Sequence, residues 1–116
     1  MKVSTLKLVT TDLNCVVDYL NHNMKFRCTD YRDEMAVLSN DLPVQQHNSP
    51  KTNRVILKSN QGCIDIDIIE YETKSGLFGL RSSFINDVNK VIDGFCEEYI
   101  ISKKELSPLI YDAMGA

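Results

Sequence analysis

Residues 54–71 read RVILKSNQGCIDIDIIEY and carry the clearest structural pattern in the chain. The second half of this stretch alternates isoleucine with aspartate: Ile64, Asp65, Ile66, Asp67 and Ile68. An alternation of period two is typical of a strand with one apolar and one polar face. Gly62 can adopt the positive φ that a tight turn requires. The sequence therefore predicts a hairpin from Arg54–Ser59 through Asn60-Gln61-Gly62 to Cys63–Tyr71.

The N-terminal region predicts a strand followed by a helix. Lys2–Thr10 alternates and is rich in β-branched residues, as strands are. The helical face that follows has apolar residues at positions i, i+3, i+4 and i+7, namely Leu13, Val16, Val17 and Leu20. Thr10 or Thr11 is the expected N-cap, with Asp12 as a negative charge in the first turn. Asn21–Asn23 is the expected end, because Asn tolerates the left-handed cap conformation.

Two further strands and a long loop lie before the hairpin. Lys25–Tyr31 and Glu34–Ser39 are predicted strands, joined by a short polar turn. Asn40–Asn53 contains two prolines among many polar residues, which indicates a loop.

The C-terminal half predicts two helices. Gly76–Leu80 is a glycine-bracketed apolar loop, after which Ser82 or Ser83 can cap a helix that ends near Tyr99. Six residues form the expected apolar face of this helix: Phe84, Val88, Val91, Ile92, Phe95 and Tyr99. A last helix begins either at the capping box of Ser102 or at Ser107 with Pro108 as its first helical residue.

The predicted order of elements is β-α-β-β-β-β-α-α within one domain that comprises residues 1–116. Consecutive strands joined by short turns favour an antiparallel sheet. We therefore expect an α+β fold in which the helices pack on one face of a small antiparallel sheet.

Composition favours a cytoplasmic protein. The net charge is −3 and the basic residues are scattered, which disfavours nucleic-acid binding. The N-terminus lacks the apolar segment of a secretory leader, and no stretch approaches about 18 uninterrupted apolar residues. The four cysteines are irregularly spaced and are expected to be reduced thiols. Frequent Asn, Ile and Lys with few Ala suggest a phage, a virus or a low-GC bacterium.

Asp65 and Asp67 are the first candidates for catalysis or metal binding, with Glu70 close by in sequence. Carboxylates two residues apart on a strand lie on the same face and can bind a divalent cation. The competing interpretation is that they form the polar half of the alternating strand. We favour this second interpretation and predict no metal and no cofactor.

Cys15 and His22 lie two turns apart along the first predicted helix. A nucleophilic cysteine needs a base nearby, and two ligands from one helix are usually four residues apart. Structural roles for both residues are therefore favoured.

The two loops supply the predicted partner-binding residues. Gly76–Leu80 precedes a helix N-terminus flanked by basic residues, where backbone N–H groups attract anions, but the Gly-Lys-Ser/Thr ending of a phosphate-binding loop is missing. The apolar side chains of this loop either pack on the core or contact a partner. The predicted contacts are Leu77, Phe78, Leu80, Arg81 and, on the other loop, His47.

The sequence leads to one hypothesis and two alternatives. We predict a small non-catalytic protein-binding domain, such as an inhibitor, adaptor or accessory factor, with a homo-oligomer left open. The first alternative is an enzyme or nucleotide binder that uses Asp65 and Asp67 or the loop 76–83. The second is a nucleic-acid regulator, which requires five basic residues to share one sheet face: Lys7, Lys25, Arg27, Arg54 and Lys58.

Overall fold

A computed structural model describes residues 2–40, 53–71 and 83–106 of the chain. These residues form six strands and two helices in the order β-α-β-β-β-β-α-β. The elements are β1 (Lys2–Leu8), α1 (Leu13–Met24), β2 (Cys28–Arg32), β3 (Met35–Ser39), β4 (Arg54–Asn60), β5 (Cys63–Glu70), α2 (Phe84–Tyr99) and β6 (Lys103–Glu105).

The strands form one antiparallel sheet in the order β2-β3-β4-β5-β1-β6. The α+β class predicted from the sequence is therefore confirmed. β1 lies between β5 and β6, in a register that places Lys2 opposite Glu70 and Leu8 opposite Ile64. The first strand of the chain therefore pairs with two strands from the second half of the sequence.

The β4–β5 hairpin turns at the predicted place, but through two residues, Gln61 and Gly62, because Asn60 still belongs to β4. Asn60 pairs with Cys63, and both Gln61 and Gly62 have positive φ, at 48° and 85°. Two successive residues with positive φ are characteristic of the type I′ turn, whose twist matches that of the flanking strands. Gly62 adopts this conformation without steric cost because it has no Cβ.

Both helices begin at a side-chain cap. Asp12 itself caps α1, because its carboxylate accepts a hydrogen bond from the backbone N–H of Cys15 at 3.1 Å. The predicted cap at Thr10 or Thr11 was wrong by one or two residues. Instead, the Thr10 hydroxyl accepts a hydrogen bond from the N–H of Asp12. Ser83 caps α2 as predicted, and its hydroxyl accepts from the N–H of Asn86.

The helices pack on one face of the sheet. The sheet side of the core comes from alternating positions of the four inner strands: Leu6, Leu8, Ala36, Leu38, Val55, Leu57, Ile64, Ile66 and Ile68. The helices contribute Val16, Val17, Leu20, Val88, Ile92 and Phe95 to the same cluster. Glu70 also lies on this face, where its carboxylate accepts from the N–H of Ile85 and so ties the end of β5 to the first turn of α2.

The segment after α2 differs from the prediction. Ser102 does not begin a helix, because residues 103–105 form β6 at the edge of the sheet beside β1. Backbone bonds from Val9 to Ser102 and from Leu106 to Thr5 extend this pairing at both ends. The alternative start at Ser107 lies outside the described residues. No helix within the described ranges is long and apolar enough to cross a membrane.

Candidate functional site

A groove of about 720 Å³ runs along α1 from Asp12 to Asn23 and is bounded by the last turn of α2. The two helices place their side chains on opposite walls. The lining residues are Asp12, Asn14, Cys15, Asp18, Tyr19, His22, Asn23, Glu98 and Tyr99. Cys15 and His22 therefore do share one side of α1, as their spacing predicts, and Tyr19 lies between them.

Aromatic rings support the base of the groove. Tyr19 meets Phe95 edge-to-face with ring centroids 5.2 Å apart, and Tyr99 lies 4.7 Å from Phe95. Gly94 lets the Tyr19 side chain lie close to α2, because a Cβ at position 94 would lie 3.3 Å from the Tyr19 hydroxyl. Phe95 is 2% exposed. The two tyrosines are therefore held by packing against a buried ring, which makes the groove a fixed part of the fold.

The rim of the groove is acidic. Asp12, Asp18 and Glu98 bring three carboxylates, and Asp18 and Glu98 are both exposed. Asp12 also serves as the N-cap of α1. No lysine or arginine is found among the described residues that line the groove. The groove thus combines aromatic rings with negative charge.

Tyr99 remains a neutral phenol in this environment. Its pKa is raised, first by the neighbouring Cys15 thiol, and then by burial and by the charge of Glu98. A tyrosine with its ordinary pKa is already protonated at physiological pH, so the raised pKa does not change the ability of this hydroxyl to donate a hydrogen bond.

An apolar residue projects beside the groove at the end of α2. Ile100 has φ 55° and ψ 56°, which is the left-handed conformation, and 92% of its surface is exposed. Tyr99, next to it, is 47% exposed. The sequence predicted Tyr99 on the buried face of the helix, whereas in the structure Tyr99 lines the groove.

The chain reversal at Ile100 separates two consecutive isoleucines. The N–H groups of Ile100 and Ile101 both donate to the carbonyl of Cys96, a pattern that closes many helix C-termini. Ile101 packs against the core after this turn, while Ile100 points into solvent. Glycine is the residue most often found at such a position, because it has no Cβ penalty there.

Asp65 and Asp67 lie on the sheet face opposite the helices. Thr5 donates to Asp67 at 3.0 Å, and Asn60 donates to Asp65 at 2.9 Å. Lys7 lies 3.7 Å from Asp65. Neutral donors and two lysines, Lys7 and the register partner Lys58, surround the pair, and Glu70 lies on the other face.

A depression of about 460 Å³ at the end of this open face brings Asp65 near Asp33 and Glu34. Arg32 and Lys58 line the same depression, and Asp67 does not. In the part of the chain that the structure describes, no group of three His, Cys, Asp or Glu side chains is arranged to hold a metal ion.

The basic residues named for nucleic-acid binding divide between two regions. Lys7, Lys58 and Arg54 lie on the open sheet face, where Lys7 and Lys58 both pair with Asp65 and Arg54 pairs with Ile69. Lys25 and Arg27 lie in the connection between α1 and β2. Because Asp65 sits between Lys7 and Lys58 of the neighbouring strands, the face carries mixed charge instead of a basic stripe.

No protein-family model matches the chain, and no curated protein sequence is significantly similar to it. The predicted partner residues Leu77, Phe78, Leu80, Arg81 and His47 lie outside the described residues, so they stay predictions. The cysteines form no disulfide, and all four are half-buried.

Sequence reasoning missed the groove. Cys15 and Tyr19 flank the apolar stripe of α1, and Tyr99 ends the stripe of α2, so each resembles a core residue when its helix is considered alone. Only the antiparallel placement of the two helices, with Phe26 against Phe84 at the other end, brings them together.

Proposed function

We propose that this chain is a non-catalytic protein-binding domain that contacts its partner through the α1–α2 groove and the adjacent end of α2. It would act in the cytoplasm as an inhibitor, adaptor or accessory factor of phage, viral or low-GC bacterial origin. The predicted contacts on the loops at His47 and at 77–81 belong to the same proposal.

The conformation of Ile100 is the observation that carries the proposal. A left-handed conformation costs an L-residue roughly 1–2 kcal/mol, and a β-branched side chain is especially unfavourable there. Burial does not offset this cost, because the side chain is almost fully exposed. An apolar side chain that is both strained and exposed contributes favourable free energy when a partner buries it, so such a residue indicates a binding surface.

The neighbouring surface supports the same role. Tyr99 and Tyr19 offer aromatic area on a fixed frame, and tyrosine is enriched at protein interfaces. The enzyme alternative is less well supported, because the partners of Asp65 and Asp67 are Thr5, Asn60 and Lys7.

Photo-crosslinking tests the proposal. A photoreactive phenylalanine analogue placed at position 100 should crosslink a distinct protein in extracts of the source cells. The same analogue at Asn86 is the control, because Asn86 is exposed on α2 about 21 Å away along the helix axis.

A product that forms at position 100 and fails to form at position 86 would support the proposal. Equal labelling at both positions, or none at position 100, would contradict it. A product of twice the chain mass would identify the partner as a second copy of the chain.

A further inference from the structure

We propose that the partner presents a basic, apolar segment to the α1–α2 groove, where its lysine or arginine side chains meet the rings of Tyr19 and Tyr99 and the carboxylates of Asp18 and Glu98. This inference rests on the proposed function and names the chemistry of the partner. The groove and the end of α2 form one continuous surface, because Tyr99 belongs to both.

Charge complementarity selects this occupant. Two exposed carboxylates, Asp18 on α1 and Glu98 on α2, line the groove, so a cation bound there is attracted by both. Charge-assisted hydrogen bonds of this kind are stronger than neutral ones. An acidic segment would meet like charge, which costs binding energy.

The aromatic base suits the same cation. The Tyr19 and Tyr99 rings pack edge-to-face, with centroids 6.2 Å apart and planes at 81°, and Tyr99 is 47% exposed. A lysine or arginine head group is attracted to the face of an aromatic ring within about 6 Å. The aliphatic stem of that side chain would cover apolar ring surface at the same time.

Ile100 supplies the apolar contact beyond the groove. Its exposed side chain lies one residue from Tyr99, so a segment that seats a cation in the groove passes over it. An apolar residue on the partner, close to the basic one, would bury both surfaces. The occupant is therefore a segment in which basic and apolar residues alternate at short spacing.

Fluorescence anisotropy with two synthetic peptides tests the inference. The first is a helical peptide of leucine and lysine about 14 residues long, and the second has glutamate at every lysine position. We expect the basic peptide to bind at least about tenfold more tightly, with an affinity that falls as salt screens the charges.

Two double variants locate the effect. Asp18→Asn with Glu98→Gln should weaken binding of the basic peptide about fivefold to tenfold, as expected for the loss of two partly exposed ion pairs. Asp65→Asn with Asp67→Asn makes the same change in net charge on the opposite sheet face. This control should change the affinity less than about twofold.

Equal weakening by the two double variants would overturn the inference, because binding would then reflect net charge alone. Equal binding of the two peptides would overturn it as well. If position 100 crosslinks a protein but the peptides fail to discriminate, the partner has different chemistry and the binding function stands. If both experiments fail, the proposed function fails too.

Discussion

At the scale of single residues, the end of α2 shows the clearest conflict between the backbone conformation that a residue prefers and the one it adopts. Gly62 could be predicted to have positive φ because glycine between two strands is a familiar turn signal. Ile100 could not, because the rules for helix ends expect glycine or asparagine in that conformation. The misfit residue is therefore informative about function in a way that the well-matched one is not.

Ile100→Asn should raise the free energy of unfolding by about 0.5–1 kcal/mol, because Asn tolerates the left-handed conformation and no burial is lost. Urea denaturation measures this change. Lys25→Asn is the matched control, since Lys25 ends α1 at φ 57° but is not β-branched, and it should gain less. A loss of stability in Ile100→Asn would show that the side chain supports the fold. In a capture experiment, the same variant should lose the partner although it is more stable.

At the scale of elements, β6 shows why a local motif can mislead. Ser102 and Glu105 satisfy the spacing of a capping box, and a helix start is what the sequence predicts there. Residues 103–105 instead pair with the far end of β1, a contact that no local pattern reveals. Lys103 then reaches back to α2, where its ammonium group contacts Asp93 and also lies 3.3 Å from Glu105. One side chain thus joins the edge strand to the helix.

This ion cluster predicts a loss of stability at alkaline pH. Burial alone would lower the pKa of Lys103, but hydrogen bonds to Asp93 and Glu105 outweigh it and raise the pKa above the ordinary 10.5. A raised pKa in the folded state means that the contribution is complete below the unfolded-state pKa. It disappears as pH rises through the folded-state value. Melting temperatures between about pH 9 and 12 should therefore fall more steeply for the wild type than for Lys103→Met. Lys90→Met, at an exposed position on α2, should follow the wild type.

At the scale of the whole molecule, the sequence predicted the elements better than their arrangement. The alternation in β5 and the apolar stripes of α1 and α2 are local patterns, so the fold class and the β4–β5 hairpin could be predicted directly from the sequence. The pairing of β1 with β5 and β6 joins distant parts of the chain, and the order of strands was not predicted. The groove depends on that arrangement, since its walls come from two helices that are separated in sequence by four strands. Its residues were visible in the sequence, but their proximity was not.

The arrangement of the whole sheet also makes a prediction about function class. Asp65 and Asp67 occupy the open face, where β1 supplies Thr5 and Lys7 as partners from one side and the end of β4 supplies Asn60 from the other. A divalent cation would have to displace these contacts, and hard cations need several oxygen ligands. We expect isothermal titration with Mg²⁺, Mn²⁺ and Ca²⁺ to show no binding tighter than about millimolar.

The double variant Asp65→Asn with Asp67→Asn gives this titration its control. Each asparagine keeps an oxygen that can accept the bond from Thr5 or Asn60, so the variant should fold. Its titration should then match that of the wild type. Micromolar binding by the wild type that disappears in the variant would instead show that the strand is a metal site, and the enzyme alternative would replace the binding domain. The same protein preparations serve the peptide experiment, where this variant should bind like the wild type. One pair of carboxylate substitutions therefore separates a function on the open sheet face from a function in the groove between the helices.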